Sequence, residues 1–402
     1  MSDISSEALN IADLREMAQR RLPRFVFEWL DRGAEDEVAL RNNRQAYEDI
    51  KLKARVLQNV STRSLETKLF GKTFKMPYGI SPTGTAGLLA YGGEIGVAKA
   101  AARAGIPCSV GTNAQTAMEE ILEKAGGELW YQLYIWSDKE LSKKLVERVK
   151  AAGFGTLIVT VDGPVGPNRE YNKKNGFSMP IKYTPKLLAQ LLAKPSWLAS
   201  CLLQQYIRRG TPKFENYPPE LMDKVTSKTF KRSILKSDSL DWDDVKRLRD
   251  MWPGKLIVKG LVHPDDAISA ADSGADGVII SNHGGRYLDA SVAPIQILPE
   301  VAKRVGGRIA VIVDSGVRRG SDVIKALALG ADFVMAGRPT LYGIGAAGEP
   351  GAYRALEIFR EEIDRNMAQM GLHSVDEITR ECLWQPEAPP QLHTAAAAEL
   401  AL

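Results

Sequence analysis

Short apolar runs alternate with longer amphipathic stretches over most of this chain. Eight runs between residues 78 and 336 have the length and the β-branched content of strands that are buried on both faces. They lie at residues 78–81, 108–112, 130–134, 156–161, 255–259, 277–281, 309–313 and 333–336. Most of the intervening stretches have helical spacing and end at a glycine, where helices commonly stop. This alternation predicts an α/β protein with the architecture of a (β/α)8 TIM barrel.

The alternative fold is a doubly wound open sheet. That fold would need a GxGxxG fingerprint after an early strand, and the sequence has none there. A barrel with an inserted segment accounts for the length of 402 residues. We therefore predict a single domain over residues 1–375, which includes an inserted segment at 177–230, followed by a C-terminal tail at 376–402.

The residues before the first predicted strand indicate a helical extension and a hairpin. A helix over residues 14–22 is broken at Leu22-Pro23, and a second helix follows and ends at Gly33. Residues 34–50 are charged and fit either a helix or an extended cover. A turn at Phe70-Gly71-Lys72, between short alternating stretches, predicts a small hairpin.

One connection is far longer than an ordinary βα loop, with roughly ninety residues between the fourth and fifth predicted strands. Within it, residues 182–214 interleave leucines, Trp197 and Ile207 with lysines and arginines, and no acidic residue follows until Glu215. This basic amphipathic pattern is too interrupted to span a bilayer, but it suits a segment that lies on a membrane surface. The alternative is that these helices pack over the barrel mouth or against a neighbouring subunit.

The composition argues against several classes of protein. The net charge of +4 is small for this length, so no nucleic-acid partner is indicated. The three cysteines are widely spaced and the four histidines lack HExxH or zinc spacing, so neither a disulfide framework nor a metal site is expected. The N-terminus lacks the apolar core of a signal peptide, and no apolar run reaches the ~18 residues of a membrane span. These features fit a reducing, cytoplasmic environment.

Polar and charged residues follow the predicted strands directly. In a barrel of parallel strands these positions share one face, which is where such proteins carry their chemistry. One histidine, several cations and two acids on one face are typical of an active site. The candidates are Thr83, Gly84, Asn113, Gln132, Tyr134, Thr160, Asp162, Arg169, Lys259, Ser281, His283, Arg286, Asp314, Gly316, Arg318, Gly337 and Arg338.

The types of these residues indicate proton abstraction from an anionic substrate. His283 is the candidate base, and Asp162 would hold its imidazole and stabilise the cation. Arg169 and Arg286 suit a carboxylate, which a guanidinium binds through paired hydrogen bonds. Burial of Lys259 would be costly unless it faced an anion or an electron-rich group.

The last two predicted strands are followed by DSGVRRG and AGRP. Glycines and arginines after these strands commonly bind phosphate in such barrels, through backbone N–H groups and guanidinium donors. A phosphorylated substrate or cofactor is therefore expected at this part of the face.

Several motifs together resemble one family. SNHGGRYLD, LIVKG, TVDGPVGPNRE, WYQLY, DSGVRRGSDVIKALALGA and LPRFVFEWLDRGAEDE are similar to the FMN-dependent α-hydroxy acid dehydrogenase/oxidase family, nearest to its (S)-mandelate and L-lactate dehydrogenase branch. The resemblance runs in order from the first predicted helix to residue 375, which is nearly the whole chain. It implies a TIM barrel that holds FMN and oxidises a 2-hydroxy acid.

The resemblance also implies roles. Catalysis would use His283 as the base, Asp162 paired with it, Lys259 near flavin N1 and O2, and Tyr134, Arg169 and Arg286 on the substrate. Substrate contacts would include Trp29 and Asn113 as well. The flavin ring would be held by Gln132, Thr160, Ser281 and the backbone of Thr83 and Gly84, the ribityl chain by Asp314 and Gly316, and the phosphate by Arg318, Gly337 and Arg338. Whether the base takes the hydroxyl proton or the Cα proton stays open.

The chain departs from the family at four positions. Trp29 stands where a tyrosine usually helps to bind the carboxylate. Asn113 stands where glycolate oxidases have tryptophan, which suggests room for a larger, aromatic substrate. The family's double arginine is Asn168-Arg169 here. Gly84 stands where oxidases often have alanine, and members with glycine there tend to react slowly with oxygen.

We therefore predict an FMN-dependent enzyme that oxidises a mandelate- or lactate-like (S)-2-hydroxy acid and passes the electrons to quinone or another non-oxygen acceptor. Its partners would include the inner face of the cell membrane, through residues 177–215, and further copies of the chain in a homotetramer. A soluble oxidase that makes hydrogen peroxide is the alternative, and a flavin-dependent isomerase is a second one.

Overall fold

The fold is a closed barrel of eight parallel strands. The structure, a computed structural model, describes residues 4–177, 181, 184–218 and 238–384. The barrel closes because the last strand pairs with the first, with Val334 opposite Tyr78. All eight predicted strands are confirmed, with shifts only at their ends. In chain order they are Tyr78–Thr83, Cys108–Gly111, Leu129–Leu133, Thr156–Thr160, Lys255–Leu261, Gly277–Ile280, Ala310–Val313 and Phe333–Ala336.

Helices surround the barrel and bury their apolar faces against its strands. The helix Lys139–Ala152 shows how local sequence sets their ends. It begins where the Asp138 side chain accepts a hydrogen bond from the Leu141 backbone N–H, and it stops at Gly153, whose φ is 95°. The others after the first strand are Gly93–Ala104, Met118–Ala125, Glu170–Asn175, Trp242–Met251, Pro264–Asp272, Pro294–Val305, Gly320–Ala328, Arg338–Ala347 and Glu349–Met370.

The extension before the barrel is helical, as predicted. It contains Ile4–Glu7, Ile11–Arg21, Arg24–Asp31 and Val38–Asp49. The helix that was predicted to end at Gly33 ends at Asp31, because Arg32 takes an extended conformation. Residues 34–50, for which a helix and an extended cover were both considered, form a helix over most of their length.

A hairpin closes the end of the barrel that lies opposite the carboxyl ends of the strands. Its strands, Thr67–Leu69 and Lys72–Phe74, pair antiparallel around the predicted turn. Leu69 and Phe74 pack onto an apolar cluster inside the barrel, so this end is filled by side chains. The strand residues of that cluster are Trp130, Ile158, Ile257, Ile279, Ile312, Phe333 and Met335.

The long connection after the fourth strand folds into short helices. They are Pro185–Leu192, Pro195–Trp197, a π-helical turn at Leu198–Leu203, and Gln204–Arg209. One face is buried against the barrel, and the indole N–H of Trp197 donates to the Leu88 carbonyl at 3.2 Å. The predicted insertion also includes residues 178–180, 182–183 and 219–230, which lie outside the described residues.

The chain stays folded beyond residue 375. Two short 3-10 helices, Val375–Glu377 and Arg380–Cys382, lead into the strand Leu383–Trp384, which pairs antiparallel with Lys51–Leu52. The rest of the predicted tail, residues 385–402, lies outside the described part of the chain. No helix within the described ranges is both long enough and apolar enough to cross a bilayer.

Candidate active site

The carboxyl ends of the barrel strands surround a cavity of ≈ 340 Å³. Most of the predicted site residues line it, although they come from all parts of the chain. Asp162, Thr160 and Ser281 are not part of this lining, but Asp162 and Ser281 bond to lining residues, His283 and Lys259. The predicted residues on the cavity wall are Trp29, Thr83, Gly84, Asn113, Gln132, Tyr134, Arg169, Lys259, His283, Arg286, Asp314, Gly316, Arg318, Gly337 and Arg338.

His283 lines the cavity and is held from behind by Asp162. The distance from His283 Nδ1 to Asp162 Oδ1 is 3.0 Å. Since an ionised carboxylate can only accept, Nδ1 carries the hydrogen and the Nε2 lone pair is available. Burial lowers the pKa of His283 below 6.5, and Asp162 offsets this only in part. The imidazole is therefore neutral at pH 7, which is the state that a general base requires.

Asp162 remains ionised beside this histidine. Burial acts to raise the pKa of the carboxyl, but His283 and then Lys259 outweigh it and hold that pKa below its usual 3.8. A negative charge is therefore in place behind His283. It would stabilise the imidazolium that forms once the base has taken a proton.

The loop that carries His283 has left-handed backbone conformations. His283, Gly284 and Gly285 have φ values of 56°, 65° and 72°. A Cβ atom at Gly285 would lie 2.6 Å from the backbone nitrogen of Leu40, so only glycine fits against the N-terminal helices. Ser281 Oγ accepts a hydrogen bond from the His283 backbone N–H at 3.0 Å and helps to fix this loop.

Two arginines lie beside the base, and neither is paired with a carboxylate in the described contacts. Arg286 donates from Nη1 to the carbonyl of Trp29 at 2.8 Å. Burial, followed by the nearby charge of Arg169, lowers the pKa of Arg286 to about 9. Arg169 Nε is buried and has no hydrogen-bond partner. The two neighbouring guanidinium groups and the unused Nε donor of Arg169 together form a potential anion-binding site.

Lys259 is the buried cation of the fifth strand. Its Nζ donates to Ser281 Oγ at 2.7 Å and lies 3.3 Å from Asp314 Oδ2. Ser81 Oγ donates to the same Asp314 oxygen at 2.9 Å. The ammonium is thus fixed at the cavity wall, where it can interact with an electron-rich ligand.

Other polar groups of the wall also favour a bound cofactor. Gln132 Nε2 is buried without a hydrogen-bond partner, so it lacks an acceptor that a ligand would supply. At the far side, the helix Arg338–Ala347 begins at Gly337 with no side chain capping its first N–H groups. Uncapped N–H groups of this kind bind phosphate, and Arg318 lines the same part of the cavity.

The Arg338 side chain points away from this predicted phosphate position. Its guanidinium donates to the carbonyls of Leu30, Arg32 and Gly284 at 3.1, 3.1 and 2.8 Å. The contacts to Leu30 and Arg32 satisfy carbonyls at the carboxyl end of the helix Arg24–Asp31. A role of Arg338 toward phosphate therefore rests on its backbone N–H, and the predicted role of its side chain stays untested.

Sequence reasoning missed three aromatic residues of the wall, namely Tyr287, Phe214 and Tyr217. Tyr287 packs edge-on to His283 at 4.7 Å and lies within the same SNHGGRYLD motif, so it could have been found there. Phe214 and Tyr217 belong to the insertion, far along the chain from any strand end. No local pattern indicated that they reach the cavity.

The family follows from comparison with known proteins. A family model described as FMN-dependent dehydrogenase matches residues 18–385. The chain belongs to this family. It is 37% identical over 380 residues to an (S)-mandelate dehydrogenase of Pseudomonas putida, covering 94% of this chain and 95% of the relative. It is 38% identical over 370 residues to an L-lactate dehydrogenase of Pseudomonas syringae pv. syringae (strain B728a), covering 91% and 96%.

The structure agrees with this assignment. A crystal structure described as the monotopic membrane protein (S)-mandelate dehydrogenase matches with a TM-score of 0.87 and 36% identity, covering 94% of this chain and 99% of that one. This FMN-dependent dehydrogenase is therefore an oxidoreductase of the 2-hydroxy acid dehydrogenase family, with FMN as its cofactor. The buried Gln132 amide, the Lys259 ammonium and the uncapped helix at Gly337 fit such a cofactor.

Proposed function

We propose that this enzyme oxidises a mandelate- or lactate-like (S)-2-hydroxy acid to the 2-oxo acid and passes the electrons to quinone or another non-oxygen acceptor. The observation that carries the proposal is a neutral His283, held by Asp162 and flanked by two arginines. Its relatives are named for (S)-mandelate and L-lactate, which are both 2-hydroxy acids.

The arginines would bind the substrate carboxylate. Arg169 has an unused Nε donor, and Arg286 is held rigid by the backbone carbonyls that it contacts. The Arg286 guanidinium lies 5.6 Å from the centre of the Trp29 ring, so Trp29 shapes the same corner. Burial raises the pKa of Tyr134 well above 10. The Tyr134 hydroxyl therefore keeps its proton and can donate to a substrate oxygen.

Proton removal would fall to His283 Nε2. Oxidation of the alcohol carbon to a ketone removes two electrons and two protons from the substrate, and one of those protons goes to this nitrogen. The ionised Asp162 then balances the imidazolium charge. Bound FMN would supply the redox chemistry by taking the two electrons together with the second proton. Lys259, whose ammonium is buried at the wall, provides positive charge there.

The remaining wall residues would bind the cofactor. Gln132 would donate its unused amide N–H to the edge of the flavin ring, and Thr160 and Ser281 would also bind the ring. The phosphate would lie at the amino end of the helix Arg338–Ala347. The other proposed contacts are Thr83, Gly84, Asp314, Gly316, Arg318 and the backbone of Gly337 and Arg338.

The outer face of the insertion supports a membrane-bound acceptor. Leu192 and Ile207 are 72% and 73% exposed, while Leu187, Leu191 and Trp197 of the same insertion are buried. Lys186, Lys194 and Arg208 are interleaved with these apolar side chains. Such a surface suits peripheral attachment to an anionic bilayer, where quinones reside. One solved relative is described as a monotopic membrane protein, which supports this proposal.

Anaerobic flavin reduction tests the proposal. The holoenzyme is mixed with (S)-mandelate, (S)-lactate, glycolate and a long-chain 2-hydroxy acid, and loss of flavin absorbance is followed. We expect at least one acid to bleach the flavin, and reduction by none of them would refute the function. The acceptor is then tested by comparing quinone reduction with oxygen uptake. Fast peroxide formation would favour the soluble oxidase instead.

A further inference from the structure

The insertion contributes an aromatic wall to the active-site cavity. Phe214 and Tyr217, which we call the aromatic wall, both line the cavity, and their rings stack with centroids 5.1 Å apart. Trp136, just after the third strand, supports Tyr217 edge-on at 5.4 Å. The wall is thus backed by a buried indole and is continuous with the barrel.

The aromatic wall lies across the barrel mouth from the base. Tyr217 donates its hydroxyl hydrogen to Asn113 Oδ1 at 2.7 Å, and Asn113 follows the second strand. His283 follows the sixth strand, which is four places away in a ring of eight strands. A substrate whose reacting carbon faces His283 can therefore direct its side chain away from the base and toward Tyr217.

A buried asparagine fixes the aromatic wall to the barrel. Asn216 is 0% exposed. Its Oδ1 accepts a hydrogen bond from the Met118 backbone N–H at 2.7 Å, and its Nδ2 donates to the Thr116 carbonyl at 3.2 Å. Arg148 also donates to the carbonyl of Glu215 at 3.0 Å. These bonds join the segment to the loop and helix that follow the second strand and to the helix Lys139–Ala152 that follows the third, so its position does not depend on the other helices of the insertion alone.

We propose that Phe214 and Tyr217 are specificity-determining residues that favour an aromatic side chain on the 2-hydroxy acid, and that Asn216 is the residue that positions them. The proposal rests on the proposed function. Because the Tyr217 hydroxyl is bonded to Asn113, the wall offers ring surface to a ligand. Ring surface packs well against an aryl group and leaves a polar group without hydrogen bonds. A methyl side chain would be too short to use it.

The test compares (S)-mandelate and (S)-lactate, which differ in whether the side chain carries a ring. Steady-state and anaerobic stopped-flow measurements are made on the wild type and on Phe214→Ala, Tyr217→Leu and Asn216→Ala, with flavin content checked first. We expect the wild type to prefer mandelate. Each variant should lose about tenfold to a hundredfold in kcat/KM for mandelate, mainly through KM, while lactate changes by about twofold or less. Tyr206→Leu, on the same insertion but away from the cavity, serves as the matched control.

The outcomes separate the two proposals. If neither acid reduces the wild-type flavin, the proposed function fails and the specificity assignment fails with it. If the wild type oxidises both acids but the variants lose both equally, or if lactate is preferred, the function stands and the aromatic wall is not a specificity determinant. Loss of the mandelate preference in Asn216→Ala at unchanged kcat and flavin content would support its positioning role.

Discussion

His283 has an unusual backbone conformation for a residue other than glycine, with a φ of 56°. Such conformations cost of order 1–3 kcal/mol and persist where the surroundings determine them. Here Ser281 Oγ fixes the backbone nitrogen and Asp162 fixes the ring. The strain therefore serves to aim one ring nitrogen into the cavity.

The neutral state of His283 leads to a prediction for the pH profile. Burial places the pKa of His283 below 6.5, and the base works only when it is unprotonated. We expect kcat/KM to rise with pH through a midpoint below 6.5 and then to level off. In Asp162→Asn the midpoint should move to lower pH, because Asp162 raises the pKa of His283, and kcat should fall about 10²- to 10⁴-fold.

A control variant and a flavin measurement test whether the pH profile reports His283. His263→Asn alters an exposed histidine that does not line the cavity, and it should leave the profile unchanged. The flavin absorbance of each purified variant shows whether FMN is retained. A midpoint above 6.5 in the wild type, or an unshifted midpoint in Asp162→Asn, would contradict the assigned pair.

Much of the candidate site could be predicted at the level of single residues, because strand ends in a barrel converge on one face. From the sequence, that rule predicts that His283, Asp162 and Lys259 lie together. It could not predict the direction of a long side chain. Arg338 follows the eighth strand as expected, yet its guanidinium turns toward the carbonyls of a helix that lies about three hundred residues earlier in the chain.

The insertion behaves as an element with two faces. Leu187, Leu191 and Trp197 are buried against the barrel, whereas Leu192 and Ile207 project outward. The sequence pattern predicted an amphipathic segment but left its partner open. The structure shows that the barrel takes one face, so the exposed apolar residues on the other face need a separate explanation.

Membrane attachment should depend on that outer face. Ile207→Glu and Leu192→Glu each replace an exposed apolar side chain by a charge, which removes about 1.5–3 kcal/mol of burial in the lipid interface. We expect each to lower the partition coefficient onto phosphatidylglycerol vesicles by about tenfold or more, as measured by cosedimentation. Leu9→Glu changes a residue that is 69% exposed outside the insertion and should have no such effect. Equal binding by all three variants would count against the membrane surface.

In the whole molecule, the eight strands were predictable because each is buried on both faces and so forms a continuous apolar run. The path of the insertion was not, because the bond between Tyr217 and Asn113 joins positions 104 residues apart. Hydrophobic periodicity describes residues that are close in sequence. It does not indicate which distant residue a given side chain will contact.

The hairpin that fills the barrel end makes a testable contribution to global stability. Phe74 is buried against Phe333, with ring centroids 5.7 Å apart. Phe74→Ala should lower the free energy of unfolding by about 3–5 kcal/mol, because it leaves a cavity in the barrel interior. Denaturant unfolding followed by circular dichroism measures this loss. Substrate KM should not change, since the hairpin lies at the opposite end from the site.

The exposed turn of the same hairpin supplies the control. Lys72→Ala removes a surface ion pair with Glu128 and should cost less than about 1 kcal/mol. If Phe74→Ala lowered the free energy of unfolding as little as Lys72→Ala does, the hairpin would not stabilise the barrel. The apolar strand residues alone would then fill that end.

Arg286 and Arg338 both donate to the last turn of the helix Arg24–Asp31 and to Arg32 just beyond it. The N-terminal helices therefore supply the acceptors, and the segments after the sixth and eighth strands supply the donors, of one set of hydrogen bonds. Without residues 4–49, Arg286 would lose its acceptors on Trp29, Leu30 and Arg32, and Arg338 would retain the Gly284 carbonyl among its described acceptors. We therefore expect that a separate fragment of residues 4–49 would bind to the remaining barrel in a fragment-complementation experiment.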